Sequence, residues 1–448
     1  MAAEIATDAG AVDAVLAAAL AASKADETEV LYSASNSALT RYTNNEIHEN
    51  MIESNHALNV RAVVGKQIGV ASTNRLDPKG VREAVARATE IARRAPADER
   101  FPGLPSGGGD AAGIPDAYDA ATAQCGPELR AEAVGCIAGV MKQRRLNAAG
   151  FVATRNDAIA VANSKGVRRF FRGTDASVNI KAIGDDSSGY AEGFSRSFSD
   201  LDMTALAERA AQKALAGHGG RDLEPGAYTV VLEAPAFREF LGYLSWVGFG
   251  AQPLDEGSSF MAGRIGQRVM GANVTIRDDW THPAGDGFPF DFEGVPRRPV
   301  TLIENGIAKG VVYDSYYAAK TGHPNTGHAL PAPNSQGPLP LNVLVEPGTR
   351  SLPEIIAGVK RGVLVTRTWY IRLVDQKKVI ITGMTRDGLF MIENGAVTHG
   401  LKNMRFNESI VDALGRCELA RELVRSESHV LPAVRIDGFH FSSGTTFG

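Results

Sequence analysis

The hydrophobic pattern is clearest in the stretch Asp286–Ala329. β-Branched and apolar residues run over Pro299–Ile303, a turn signal follows at Glu304-Asn305-Gly306, and the chain returns through Ile307–Tyr313. Two apolar runs joined by an Asn-Gly turn are typical of a β-hairpin. The segment Leu389–Gly395 ends in the same Ile-Glu-Asn-Gly sequence, so the pattern predicts a second hairpin further along the chain.

Short strands and amphipathic helices account for the first half of the chain. His56–Val64 alternates apolar and polar residues, and Gln67–Thr73 is predicted to pair back onto it. Asp77 followed by Pro78 indicates a helix start, because the Asp side chain can accept a backbone N–H of the first turn. The other predictions are helices at Ala11–Ser23, Val81–Arg94, Pro127–Gln143 and Leu201–Ala216, strands at Glu29–Ser35, Ser37–Asn44, Glu46–Glu53, Phe151–Asn156, Ala158–Asn163, Gly166–Arg172 and Ala176–Ile183, and a turn-like stretch at Gly184–Gly193.

The second half begins with the strand Gly226–Leu232. Predicted helices there are Ala236–Val247, Met261–Val269, Ser315–Lys320, Leu352–Val359 and Ser409–Val424, and predicted strands are Val274–Asp278, Leu341–Glu346, Val363–Thr368, Trp369–Val374, Val379–Thr382 and Val434–Phe441. The fold class is therefore α+β, with an N-terminal α/β layer domain at residues 1–222 and a β-rich C-terminal domain with flanking helices at residues 223–448. The proline- and glycine-rich stretch Ala95–Ile114 is predicted to be a long loop.

Composition limits the class of protein. The 448 residues are 44% hydrophobic and 22% charged, with a formal net charge of −4, and they lack the concentrated Lys and Arg that nucleic-acid binding requires. Three scattered cysteines are too few for a disulfide framework or a zinc knuckle. The N-terminus is acidic where a secretory signal would be basic, and no stretch approaches the roughly 20 apolar residues that cross a bilayer. We therefore expect a cytoplasmic protein whose partners include neither nucleic acid nor a membrane.

Four blocks, Leu39–Asp77, Ser259–Gly266, Phe290–Gly327 and Thr382–Gly395, occur in this order over nearly the whole chain. Together they resemble the TldD/PmbA family of cytoplasmic metalloprotease subunits. The resemblance implies a two-domain subunit that pairs with a homologous partner to enclose a peptidase chamber. It also implies that the substrate is an unfolded or extended peptide, held as an added β-strand at a sheet edge.

The family has two branches that differ in metal chemistry. TldD-like subunits carry a His-Glu-x-x-x-His helix and a cysteine near the C-terminus, which supply the metal ligands and a general base. The matching positions here are about Leu241–Trp246, where no side chain can bind a metal, and the last cysteine is Cys417, in a predicted helical segment. The resemblance therefore indicates the TldE (PmbA) branch. It implies that this chain has no catalytic residue and no metal ligand, and that zinc belongs to the TldD-like partner of a heterodimer.

The surrounding segment Phe237–Phe249 is unusually rich in aromatic and apolar residues. It is either a buried helix in the domain core or a helix that binds the partner subunit. Both interpretations remain open at this point.

Asp291 and Glu293 are the first candidate binding residues. Two residues apart in a strand, they would point to the same face, and their repulsion would raise the pKa of one of them. They could then act as an acid/base pair. The alternative, which we favour, is that they hold the turn before the hairpin by accepting backbone N–H groups.

His323 and His328 are the other candidates. They are close enough in sequence to share a cation in a loop, and Glu304, Glu293 and Asp291 could complete a site of nitrogen and oxygen ligands. The alternative is a packed loop whose histidines bond to neighbouring groups.

These observations give three hypotheses for function. The first is the non-catalytic subunit of a TldD/TldE-type peptidase. The second is a self-sufficient metallohydrolase with an atypical site at His323, His328 and Glu304. The third is a non-enzymatic binding protein, such as a topoisomerase modulator, a role that older names in the family suggest.

Overall fold

The computed structural model describes residues 7–108 and 117–445. The helices are α1 (Ala9–Ala22), α2 (Pro78–Arg94), α3 (Ala120–Ala123), α4 (Pro127–Gln143), α5 (Met203–Ala216), α6 (Ala234–Gly248), α7 (Ala251–Asp255), α8 (Ser315–Thr321), α9 (Leu352–Ala357) and α10 (Ile410–Leu414). The strands are β1 (Glu27–Thr43), β2 (Glu46–Val64), β3 (Gln67–Thr73), β4 (Asn147–Asn163), β5 (Arg168–Ile183), β6 (Ser188–Ser195), β7 (Gly226–Leu232), β8 (Ile276–Asp278), β9 (Val300–Glu304), β10 (Ile307–Ala308), β11 (Val343–Val345), β12 (Arg361–Asp375), β13 (Ile380–Glu393), β14 (Ala396–Gly400), β15 (Met404–Ser409), β16 (Cys417–Ser426) and β17 (His429–Gly444).

The first half builds an antiparallel sheet in the order β3-β2-β1-β4-β5-β6. Helices α1 and α2 pack over one end of it, around Leu58, Val60 and Ala162. Helices α4 and α5 pack over the other end, around Val152 and Ile180. The sheet is therefore covered by helices on one face, which leaves its other face for the second half of the chain.

Several strands that were predicted as separate pieces are continuous. β1 pairs with β2 without interruption from Glu27 to Arg41, so the predicted break after Ser35 is wrong. β4 and β5 likewise each join two predicted strands. The Asp77 cap is confirmed, because its carboxylate accepts the backbone N–H groups of Lys79 and Gly80.

The second half forms one large mixed sheet in the order β10-β9-β8-β11-β17-β15-β13-β12-β7, with β14 on β13 and β16 on β17. Helix α6 lies in its main hydrophobic core. The Phe240 ring lies 5.6 Å from that of Phe406 and 6.2 Å from that of Phe439. The α+β fold class is thus confirmed, whereas the exact boundary near residue 222 remains a prediction.

Both Asn-Gly hairpins are confirmed. Asn305 and Gly306 have φ values of 50° and 78°, and Asn394 and Gly395 have φ values of 50° and 81°. Positive φ at both central residues characterises the type I′ turn, which matches the twist of the flanking strands.

Three predicted elements are wrong. The helix predicted at Ser409–Val424 stops at Leu414, and β16 follows because pairing with β17 overrides the helix propensity of its Glu, Leu and Arg residues. The helix predicted at Met261–Val269 is a series of turns, since Gly263 and Gly266 have φ values of 71° and 82°. The turn predicted at Gly184–Gly193 largely belongs to β6, which pairs with β5.

The proline-rich stretch that begins at Ala95 is packed where the structure describes it. Phe101 and Leu104 are buried beside Val63, and the Leu104 N–H donates to the Glu27 carboxylate at 2.6 Å. Residues 109–114 of the predicted loop lie outside the described residues. Among the described helices, none has the length and apolarity needed to cross a bilayer.

Candidate functional site

Helix α6 covers positions 241–246, which match the metal-binding helix of TldD-like subunits in sequence. Pro235 lies in its first turn, where a missing N–H is tolerated. The side chains of Phe237, Leu241 and Leu244 are fully buried against the C-terminal sheet. Only Tyr243 and Trp246 face outwards with large aromatic surfaces. Positions 241–246 thus present carbon surface, one phenol and one serine, and none of these is a zinc ligand.

Cys417 does not compensate for these missing ligands. It opens β16, where its thiol contacts the Leu414 carbonyl oxygen at 3.4 Å. Burial raises the pKa of this thiol to about 12, so it stays protonated at neutral pH, whereas a metal requires the thiolate. Within residues 7–108 and 117–445, no three His, Cys, Asp or Glu side chains form a group that could hold a metal ion. The residues present therefore do not fit zinc.

Asp291 lies in a turn rather than in a strand, and its carboxylate is buried. It accepts backbone N–H groups from Glu293 at 3.0 Å, from Val295 at 2.9 Å and from Ala329 at 2.9 Å. Burial, reinforced by the nearby Glu293 carboxylate, raises the pKa of Asp291 to about 8. Its contacts are those of a group that holds two loop segments together.

Glu293 belongs to a buried ion triad that joins the N-terminal sheet to a turn of the second half. Arg61 on β2 donates to Glu293 Oε1 at 3.0 Å and to Glu29 Oε2, on β1, at 2.6 Å. Although burial alone would lower it, the two carboxylates hold the pKa of Arg61 above its ordinary value. Burial raises the pKa of Glu29 to about 7, partly opposed by Arg61. One guanidinium thus faces two carboxylates from different halves of the molecule.

A cleft of about 670 Å³ opens beside this triad. Its charged lining includes Arg61, Glu293 and Asp314, and its aromatic lining includes Tyr316 and Tyr317. Asp314 caps α8 by accepting the Tyr317 N–H at 2.7 Å. Burial raises the pKa of Asp314 to about 6. The cleft therefore carries one carboxyl group, that of Asp314, whose pKa is raised towards neutral pH, which suits proton exchange or contact with a polar chain.

His328 and His323 lie in different surroundings. His328 is fully buried, and its Nε2 lies 3.0 Å from Asp278 Oδ1. Burial lowers the pKa of His328, so at neutral pH the imidazole is neutral and donates to the Asp278 carboxylate. His323 is exposed and stacks on Tyr313, with ring centroids 4.9 Å apart. Glu304 pairs with Lys309 on the hairpin at 2.9 Å. The structure does not assemble these residues into one site.

Sequence analysis missed Arg61, Glu29 and Asp314. The signal for Arg61 was present in the alternation of His56–Val64, because it places Arg61 on the face opposite Leu58, Val60 and Ala62. Nothing local indicated its partner Glu293, which lies 232 positions along the chain.

Family models match most of the chain. The model described as PmbA/TldA metallopeptidase domain 1 covers residues 28–92, the central-domain model covers residues 127–217, and the C-terminal-domain model covers residues 225–443.

Curated relatives match over different lengths. A protein named Metalloprotease, from Methanothermobacter thermautotrophicus, is 24% identical over 57% of this chain and 58% of its own length. The Zinc metalloprotease TldD homolog of Saccharolobus solfataricus is 28% identical over 35% of this chain and 34% of its own length. The chain therefore spans less than two thirds of these relatives. Metalloprotease PmbA of Escherichia coli O157:H7 is 25% identical over 94% of both chains.

Two solved structures share the fold. TldE from Thermococcus kodakarensis superposes with a TM-score of 0.87 at 22% identity, over 96% of this chain and 100% of its own. A Thermotoga maritima protein, provisionally described as a modulator of a DNA gyrase, has a TM-score of 0.83 at 19% identity, over 93% of this chain and 96% of its own.

Proposed function

Because the chain belongs to the TldD/PmbA metallopeptidase family, we propose that it is the TldE-like, non-catalytic subunit of a zinc-dependent peptidase. In this proposal the zinc ion and the activated water belong to a homologous TldD-like subunit. This chain contributes part of the chamber wall and stabilises the partner's active site.

The observation that carries the proposal is the chemistry of α6. Positions 241–246 offer no imidazole, carboxylate or thiolate, and the buried Leu241 and Leu244 fix the helix in the hydrophobic core. Rotating this helix to present a polar face would expose those apolar side chains to water. In this proposal the zinc-activated water is therefore supplied by another chain.

The lengths of the family alignments give further support. The alignment with PmbA runs over 94% of both chains, whereas that with the TldD homolog covers about a third of each. The TldE structure also matches the fold over its full length. These likenesses favour the PmbA/TldE branch over the TldD branch.

Extended peptides are the proposed substrates of the complex. A peptide can bind by adding a strand to an open sheet edge, where its backbone supplies the hydrogen bonds. β3 pairs with β2 only from Leu58 to Val64, so within the described chain the outer edge of β2 from Glu46 to Ala57 pairs with no other strand. An edge of this kind supports substrate binding by strand addition.

We further propose a cytoplasmic location for the complex. The three cysteines, Cys125, Cys136 and Cys417, are all free thiols, which suits a reducing compartment.

A self-sufficient hydrolase would need a different arrangement. It would require His323, His328 and Glu304 to converge on one cation. His328 is buried against Asp278, while His323 is exposed on Tyr313. No contact within the described residues favours this second function.

The test is reconstitution from separate subunits. This chain and a TldD-like subunit from the same organism are purified apart and together, and peptidase activity and zinc content are measured. We expect peptidase activity and zinc in the mixture and neither in this chain alone. Activity of the TldD-like subunit that is unchanged by this chain, with no complex on size-exclusion chromatography, would overturn the proposal.

A further inference from the structure

An unusual group of exposed aromatic side chains lies where α6 meets β12. We call it the aromatic patch, and it consists of Tyr243, Trp246, Trp369 and Tyr370. Trp246 is 50% exposed, Trp369 is 46% exposed and Tyr370 is 59% exposed. Two of the three tryptophans of the chain are therefore about half exposed to solvent in this patch. Such exposed aromatic surface is typical of protein–protein contacts.

The patch surrounds a recess of about 330 Å³. Helix α6 lines it with Glu239 and Tyr243, and β12 lines it from Thr368 to Arg372. The Tyr243 hydroxyl donates to the Ile371 carbonyl oxygen at 2.8 Å and so holds the helix and the strand together. The recess has the size of one large side chain, which makes it suited to an anchor residue.

Thr368 lines the recess on the β12 side with a buried side chain. Its side chain is only 6% exposed, and its hydroxyl has no hydrogen-bond partner among residues 7–108 and 117–445. Buried hydroxyls are almost always bonded, because burial without a partner is costly.

The backbone of β12 is shaped to display this surface. The pairing with β13 shifts register between Trp369 and Arg372, and Tyr370 has a φ of 54°. A left-handed conformation is rare for an aromatic residue, and such outliers concentrate at functional positions. The bulge turns neighbouring aromatic side chains outwards together.

Two arginine side chains lie beside the rings of the patch, and one of them, Arg386, is already paired with Asp387 at 3.7 Å. The Arg386 guanidinium lies 4.7 Å from the centre of the Trp369 ring, and the Arg372 guanidinium lies 4.4 Å from that of Tyr370. Arg372 forms no ion pair within the described part of the chain. Glu239, the acid that lines the recess, is already paired with Arg238 at 2.6 Å. A carboxylate on an incoming surface would therefore be attracted.

We propose that the aromatic patch is the docking surface for the TldD-like subunit, and that its recess takes one apolar side chain of that subunit beside a carboxylate that pairs with Arg372. This inference rests on the proposed function and names the surface through which this chain would bind the TldD-like subunit. Trp246 lies outside the recess but next to Tyr243, with ring centroids 6.3 Å apart. The aromatic surface is thus wider than one bound residue requires, which favours a folded partner over a single peptide side chain.

The experiment measures the dissociation constant between this chain and the purified TldD-like subunit of the same organism. Trp246→Ala, Trp369→Ala and Arg372→Glu should each weaken binding by about ten-fold or more, the loss typical of interface anchors. Arg372→Lys keeps the charge and should bind within about three-fold of the wild type. Leu129→Ala is the matched control, because Leu129 is 48% exposed on helix α4 of the N-terminal half and should leave binding unchanged.

The outcomes separate this inference from the proposed function. If the wild-type chain fails to bind the TldD-like subunit, the subunit role itself falls. If the wild type binds and the three patch variants bind equally well, the docking assignment is overturned while the subunit role stands. If the variants bind normally but raise the KM of the complex for an extended peptide, the patch contacts substrate instead, which also overturns the docking assignment. Circular dichroism and thermal melting confirm that each variant is folded.

Discussion

Arg61 links the N-terminal sheet to the second half of the chain through a buried ion group. It is the cation of the buried triad with Glu29 and Glu293, and these carboxylates come from separate halves of the chain. Removing one member of a buried ion group leaves uncompensated charge, which costs far more than losing a surface pair. The triad therefore ties the N-terminal sheet to the turn that holds Asp291.

Replacing Arg61 with Met should destabilise the protein strongly. We expect the free energy of unfolding at pH 8 to fall by about 3–5 kcal/mol, because two carboxylates remain buried without their cation. The measurement is urea unfolding followed by circular dichroism. The matched control is Arg41→Met, which breaks the Arg41–Glu49 pair, where Arg41 is 53% exposed, and should cost less than about 1 kcal/mol. Equal losses in the two variants would show that the buried triad adds no special stability.

The raised pKa of Asp314 predicts how the free energy of unfolding depends on pH. Its folded pKa of about 6 lies above the ordinary value, so the folded state binds the proton more tightly than the unfolded state. Its contribution to stability is therefore present at low pH and is lost as pH rises from about 4 to 6. Asp314→Asn keeps the helix cap and removes this titration. The variant should lose less stability than the wild type between pH 4 and pH 6.

Asp77→Asn serves as the control for the pH experiment. Asp77 also caps a helix, but a backbone hydrogen bond from Gly80 holds the pKa of its exposed carboxyl below the ordinary value. Its contribution is present above the ordinary pKa and is lost as pH falls. The Asn variant should thus leave the pH dependence between pH 4 and pH 6 unchanged and alter it in the opposite sense only below about pH 4. A shift in the same direction in both variants would contradict the account of Asp314.

At the scale of elements, local signals predicted the hairpins and most helices. An Asn-Gly turn and a helix start such as Asp77-Pro78 are determined by a few adjacent residues. The turn at Asn305-Gly306 and helix α2 were therefore predicted correctly. β16 was not, because its strand conformation comes from pairing with β17 rather than from its own helix-favouring composition. Long-range contacts also explain why the ion triad was not predicted. The local sequence pointed to Asp291 and Glu293, whereas Arg61 contacts Glu293 only in the folded molecule.

The Asn-Gly hairpin gives a prediction at this scale. Gly306 has a φ of 78°, and a Cβ there would lie 2.3 Å from the Met270 carbonyl oxygen. Gly306→Ala should therefore lower the free energy of unfolding by more than about 1 kcal/mol. Gly135→Ala is the control, since Gly135 lies within α4 and its Cβ would meet nothing within 4 Å; it should stabilise by about 0.5–1 kcal/mol. Thermal unfolding measures both, and a neutral Gly306→Ala would refute the steric account.

At the scale of the whole molecule, the N-terminal sheet and loops of the second half line a cleft, and residues 7–108 and 117–445 hold no group of three side chains that could bind a metal ion. The two halves meet through an apolar cluster that includes Leu31, Val161 and Phe290. They also meet through ion pairs: besides the triad, Lys181 on β5 lies 2.9 Å from Asp387 on β13, and Lys213 on α5 lies 2.6 Å from Glu233 before α6. Helix α6 then presents aromatic surface to the outside. This arrangement suits a subunit that shapes and stabilises a shared chamber while a partner carries out the chemistry.

The most direct test of this division of labour is the zinc content and peptidase activity of the isolated chain, compared with its mixture with a TldD-like subunit. We predict that the isolated chain, loaded with excess zinc and then desalted, retains far less than one zinc per chain and cleaves no unfolded peptide, while the mixture is active. Stoichiometric zinc with peptide cleavage by the isolated chain would contradict the account.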